Sequence, residues 1–226
     1  RYDLESVPVV NVNGRLLGRI TIDDIVDVIT EQAEQDRQAM TGLSGDVEED
    51  DTVWASVRAR LPCQVIGMAG GLLAAWLTDM IGKPVLGAVG ALAYFMTLIA
   101  GTGGNVGVQS SSVILQSLAS PSVVEQSVAR RLLKVFSIGI LNGLMLSVVL
   151  FLVIYGATRD LRLSIVVSVS ILAVVLLASF MGTVTPLLLD RFGFNPAVAS
   201  GPFITTANDL LGLTVYFLTA KLLYSL

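Results

Sequence analysis

Five apolar stretches, each long enough to cross a bilayer as a helix, dominate this chain: residues 61–81, 84–118, 132–158, 163–189 and 196–223. A spanning helix needs about 20 mostly apolar residues. In lipid every backbone N–H and C=O must be satisfied internally, and a helix does that within one segment. The sequence therefore predicts an all-α membrane protein with five transmembrane helices between residues 61 and 223. Composition agrees, since 54% of the 226 residues are hydrophobic and 14% are charged, against about 25% charged in soluble domains. The first stretch begins only after residue 60, too late for a cleaved signal peptide.

Charge divides the chain in two. Residues 1–60 hold 13 of the 18 acids and 6 of the 14 bases, so the remainder holds 5 acids and 8 bases. An acidic, water-facing piece thus precedes the membrane piece. Among the short connections, Arg58, Arg60, Arg130, Arg131, Lys134 and Arg191 fall on one side of the membrane, and Lys83, Arg159, Arg162 and Lys221 on the other. Six against four favours a cytoplasmic N-terminus by the positive-inside rule. No basic patch interleaved with aromatics is present, so nucleic acid is not an expected partner; the lipid bilayer is.

The lack of histidine and the single cysteine, Cys63, exclude a disulfide framework, a zinc finger, a His-ligated haem and a His-based triad. Metal chemistry must then use oxygen ligands. An intramembrane enzyme would need a nucleophile with its base, or paired acids, within the spans. Asp209 is the only acid in the middle of one, so the chain reads as a non-enzyme.

The N-terminal piece reads as strand, turn, strand and helix. Residues 6–12 form a β-branched run, Asn13-Gly14 is a hairpin turn signal, residues 15–21 form a second strand, and residues 23–40 carry helical spacing in Ile25, Val28, Ile29 and Ala33. Thr21 is placed to cap that helix. Two strands and one helix cannot bury a core alone, so the chain is expected to begin inside a larger domain. Residues 42–52 read as an acidic linker with Asp46, Glu48, Glu49, Asp50 and Asp51.

Two features at membrane depth carry chemistry. Asp209, in mid-span, costs about 2.5–3.5 kcal/mol on insertion scales, and such residues face a bundle interior or an ion path. The alternative is an aspartate bonded to Thr205, Thr206 or Asn208 for packing alone. A carboxylate among threonine, asparagine and glycine carbonyls suits a hydrated divalent ion, because magnesium keeps several waters and binds through one or two carboxylates. The second feature is Gly101-Thr102-Gly103-Gly104-Asn105-Val106-Gly107. Each glycine weakens a helix by about 1 kcal/mol relative to alanine, so a break or a close backbone approach is expected there. Small residues also let helices pack tightly, and both readings stand. On the N-terminal helix, Asp27, Glu31 and Glu34 gather like charge on one side; a solvated face is the default, and a counter-cation would relieve the repulsion.

Gly101-Thr-Gly-Gly-Asn-Val-Gly-Val-Gln-Ser110 and Asn195-Pro-Ala-Val-Ala-Ser-Gly-Pro-Phe-Ile-Thr-Thr-Ala-Asn-Asp-Leu-Leu-Gly212 resemble the signature segments of the MgtE family of bacterial magnesium channels. Residues 7–27 resemble the end of the second CBS module that precedes that family's membrane domain. The resemblance implies residues 1–29 as a small α/β remnant of a CBS domain, 23–52 as a plug helix with its linker, and 53–226 as the channel domain. It implies a homodimer in the bacterial inner membrane, its pore at the dimer interface and lined by the second and fifth spans. Mg2+ is the implied ion, taken up passively, with hydrated magnesium bound by Asp209, contacted by glycine carbonyls at Gly101 and Gly104, and met by a backbone carbonyl at Thr205.

The family also closes its pore when cytosolic magnesium bridges acids of the CBS region, the plug helix and the membrane domain, which maps to Asp27, Asp36 and Asn195. This chain departs from that pattern. Gln32 and Gln35 stand where glutamates occur and Asn195 where aspartate can occur, which implies weaker inhibition by cytosolic magnesium. Gly201, Val108 and the Gly82-Lys83-Pro84 connection also differ from the family's pore and mouth. The alternative function is a proton-coupled divalent-cation transporter or exporter with Asp209 as the proton carrier.

Overall fold

The computed structural model describes residues 5–43, 52–119, 128–199 and 201–225. Strands β1 (Ser6–Val10) and β2 (Leu16–Thr21) pair antiparallel from Ser6 opposite Thr21 to Val10 opposite Leu16, with an irregularity between Val9 and Val10. The turn is held by Asn11, whose Oδ1 accepts from the N–H groups of Asn13 (3.0 Å) and Arg15 (2.9 Å). Gly14 takes the positive φ, +79°, that the turn requires.

Helix α1 (Ile22–Thr41) follows at once. Thr21 and Asp24 form a reciprocal capping box: the Asp24 carboxylate accepts from the Thr21 N–H at 2.7 Å, and the Thr21 hydroxyl accepts from the Asp24 N–H at 3.4 Å. Those bonds satisfy donors that the first turn leaves unpaired. They also hold the Asp24 carboxyl below its ordinary pKa. The helix ends on Gly42 in the left-handed region (φ +84°). Val7, Leu17, Ile20, Ile25 and Val28 of this piece stand exposed. The acidic linker expected at 42–52 lies, from residue 44 to 51, outside the described residues.

Five helical segments are long and apolar enough to cross a membrane. Helix α2 (Val53–Leu77) runs through a π-helical turn (Thr78–Gly82) into the short α3 (Lys83–Ala88). After Val89 a 3-10 segment (Gly90–Phe95) leads into α4 (Met96–Ala119). Then come α5 (Val128–Thr158), α6 (Leu161–Arg191), a 3-10 turn (Pro196–Ala199) and α7 (Pro202–Tyr224).

Two expectations need correcting. The chain stays helical through Gly82-Lys83-Pro84, and the first two spans are divided at Val89. The glycine run does not break its helix either: α4 is continuous through residues 101–107. Glycine's weak propensity is outweighed by packing and by the lack of water to satisfy freed backbone groups at that depth. The other expected outcome, close approach, is what the run produces.

The core centres on α6, which buries Val166, Val167, Ile171, Val174 and Val175 against α4, α5 and α7. Helix α4 runs antiparallel to α7: Ala100 lies by Gly212, Gly103 by Asn208 and Gly107 by Ile204. The irregular entry to α4 is pinned by Tyr216 of α7, wholly buried, whose hydroxyl donates to the Leu92 carbonyl at 2.8 Å. Gly82 faces the Phe217 ring, with 2.6 Å between a β-carbon built there and Cζ. Helix α2 also meets α7, where Gly70 takes the Thr206 side chain.

Candidate functional site

The seam between α4 and α7 brings together the polar groups that the sequence places at membrane depth. Asp209 lies near the middle of α7, half-buried. A β-carbon built on Gly104 would stand 2.9 Å from Asp209 Oδ1 and 3.7 Å from the Thr205 side chain, so Gly104, Thr205 and Asp209 share one contact. Gly101, one turn earlier on α4, is exposed, with no atom within 4 Å of its β position. Three of the four expected pore residues are thus joined within one chain, and the fourth opens outward.

The packing-only reading of Asp209 finds no bond to rest on. The Thr205 hydroxyl donates to the Pro202 carbonyl at 3.0 Å. The Asn208 amide has no hydrogen-bond partner among the described residues. Among the described residues no side chain hydrogen-bonds to the Asp209 carboxylate or pairs with it. Nor do three carboxylate or thiol groups gather among the described residues. A single chain therefore offers one carboxylate with free lone pairs and a smooth face of glycine backbone opposite.

Asn208, expected beside Asp209 as its bond partner or as one of the polar groups around an ion, does not bond to Asp209. It is 2% exposed, and neither amide atom has a hydrogen-bond partner. Its side chain fills the space over Gly107, where a β-carbon would overlap the amide nitrogen and come within 3.0 Å of Cγ. An unpartnered buried amide costs about 1–3 kcal/mol. The legible signal was a second polar residue in mid-span. Ser111, one turn beyond Gly107 on α4, is likewise wholly buried with an unpartnered hydroxyl.

The regulatory candidates divide. Asn195 Nδ2 donates to Asp36 Oδ1 at 3.4 Å, and Gln32 Nε2 donates to the same oxygen at 3.2 Å. Asn195 Oδ1 meanwhile accepts from the Ala197 N–H at 2.8 Å. Asp27 is exposed, nine residues back along α1, which is about 13 Å at 1.5 Å per residue, and joins neither. The like charge on α1 is relieved by its own side chains: Arg37 pairs with Glu34 and holds that carboxyl below its usual range, and Gln35 donates to Glu31 at 3.4 Å.

Below this contact the end of α1 is wedged against the membrane helices. A β-carbon on Gly201 would overlap the Met40 carbonyl oxygen, and one on Gly42 would stand 2.6 Å from Cys63 Sγ and 2.9 Å from Pro202 Cγ. An open cleft of about 450 Å³ separates α1 from α4 nearby, lined by Asp36, Arg37, Met40, Val113 and Gln116.

A bundle of five bilayer-length helices with one unpaired carboxylate against glycine backbone defines a multi-pass membrane protein with an ionisable site at membrane depth. Residues 96–219 match the MgtE family, described as divalent cation transporter. The magnesium transporter MgtE of Bacillus subtilis (strain 168) is 32% identical over 221 residues, covering 96% of this chain and 48% of that protein. The magnesium transporter MgtE of Enterococcus faecalis is 34% identical, with 98% and 48% covered, and that of Thermus thermophilus 35%, with 98% and 49%. This chain belongs to the MgtE family. It spans about half the length of the curated relatives it matches.

Proposed function

We propose that this chain forms the membrane part of a magnesium-selective channel for passive Mg2+ uptake. The observation that carries the reading is the Asp209 carboxylate, half-buried in mid-bundle, without a protein partner and facing Gly104. A group so placed is expensive unless it serves an ion path. Magnesium sheds water reluctantly, so one carboxylate and a face of backbone carbonyls suit the hydrated ion. Asp209 attracts and centres it, while Gly104, Thr205 and the outward Gly101 contact its waters.

Two copies, assembled so that each Gly101 and Asp209 faces a shared axis, would double the carboxylates and enclose the path. With the N-terminus in the cytoplasm of a bacterium and the bundle in its inner membrane, the inward-negative potential drives a divalent ion by about 4.6 kcal/mol per 100 mV, twice the unit-charge figure. No bond is made or broken. Residues 1–29 serve as the end of a CBS module and α1 as the plug. Gating by cytosolic Mg2+ would act at Asp27, Asp36 and Asn195, weakened because Asn195 already binds Asp36 through its amide.

The test is magnesium flux into proteoliposomes under an imposed negative potential, wild type against Asp209→Asn. Flux that collapses in a variant still folded supports the reading, and equal flux removes Asp209 from the path. Flux that follows an imposed pH gradient instead of the potential would favour the proton-coupled alternative.

A further inference from the structure

We propose that Asn208 is a second oxygen donor to the hydrated cation, concealed against Gly107 in the arrangement seen here and opened to the ion path when α4 and α7 separate. The inference deepens the cation-transport reading and rests on it. Asn208 is 2% exposed and both of its amide atoms lack partners among the described residues. Inside protein or lipid that is an unfavourable place for a group with three or four hydrogen bonds to make. A leucine has the same branched outline and no polar atoms to leave unpaired. Violations of this kind concentrate where function needs them.

The surroundings indicate what satisfies the amide. Asn208 precedes Asp209, so on α7 the two side chains are about 100° apart and 1.5 Å apart in height. A modest turn of α7, or a parting of the seam, brings both to the same opening. The α4 face against them is bare backbone at Gly103, Gly104 and Gly107, where Asn208 and Ile204 seat over Gly107 and Asp209 over Gly104, so α7 can turn there without a side chain of α4 having to move aside. Water entering the seam would also reach Ser111, whose buried hydroxyl is unpartnered too. The amide oxygen is a neutral hard donor, suited to waters around a divalent ion, and it adds no charge that would hold the ion in place.

The full chain in proteoliposomes tests this with two variants. Asn208→Leu is expected to melt no lower than wild type in detergent, while magnesium flux falls roughly tenfold, the equivalent of one lost hydrogen bond to the ion's water shell. Flux within twofold of wild type would overturn the proposal and leave Asn208 a packing residue. The second variant, Asn208→Cys with Cys63→Ser, is treated with a water-soluble thiol reagent. Labelling is expected under a magnesium gradient at negative potential and not without them; no labelling in either condition overturns the proposal. This arm decides if Asn208→Leu does not fold. Absence of flux in the wild type itself would refute the transport reading, and this inference with it.

Discussion

Gly101 and Gly104 lie one turn apart on α4, yet only Gly104 meets another helix. Gly104→Ala would set a methyl 2.9 Å from the Asp209 carboxylate; overpacking of this kind costs about 1–3 kcal/mol, and magnesium flux should drop with the melting temperature. Gly101→Ala meets nothing among the described residues, so it should stabilise α4 by up to about 1 kcal/mol. A loss of dimer or of flux in that stable variant would place Gly101 at the shared axis. At the other end of the chain, Thr21→Ala removes the cap of α1 at a cost of about 1 kcal/mol, read as lost helicity. The pH dependence has a fixed sign. Asp24 has a folded-state pKa depressed below 3.8, so its capping contribution is complete above that value and is lost as pH falls through the lower, folded one. The helicity gap between wild type and Thr21→Ala in far-UV circular dichroism should therefore narrow in strong acid, the Thr21 hydroxyl cap alone remaining.

The five spanning helices were legible because apolar length in a bilayer admits few structures, and the hairpin and the Thr21 cap because Asn-Gly and a threonine at a helix start are local signals; the answering Asp24 carboxylate was not read. The helix ends were not. Helix α2 begins at Val53, eight residues before the long apolar run, because Arg58 and Arg60 interrupt the hydropathy of its first two turns. The glycine run was legible as an unusual place but not as an unbroken helix, because what holds it is contact with α6 and α7. Gly182 shows how tight that contact is: a β-carbon there would overlap the Gly107 carbonyl and stand 2.9 Å from Ser110 Cβ. Gly182→Ala should destabilise the bundle by about 1–3 kcal/mol in a thermal melt. The pairing of Asp209 with Gly104 was expected only by resemblance. The unpartnered amide of Asn208 depends on which atoms lie across a helix crossing, and one sequence does not state that.

For the molecule as a whole, the contact between the end of α1 and the segment before α7 joins the N-terminal piece to the bundle. Asn195 donates to Asp36 where a second carboxylate would need a cation between them. Asn195→Asp should make this contact cation-dependent: protease cleavage near α1 should quicken in chelator and slow with millimolar magnesium, while wild type responds less. The deep burial of α6 has a consequence for biogenesis. Apart from residues near its ends it carries no charge and can partition from the translocon unaided, whereas α7 brings Asp209 and Asn208 into the hydrocarbon. Helix α7 thus depends on a groove made earlier in synthesis by α4 and α6, and fused alone to a reporter it should enter the membrane poorly until that groove is supplied beside it.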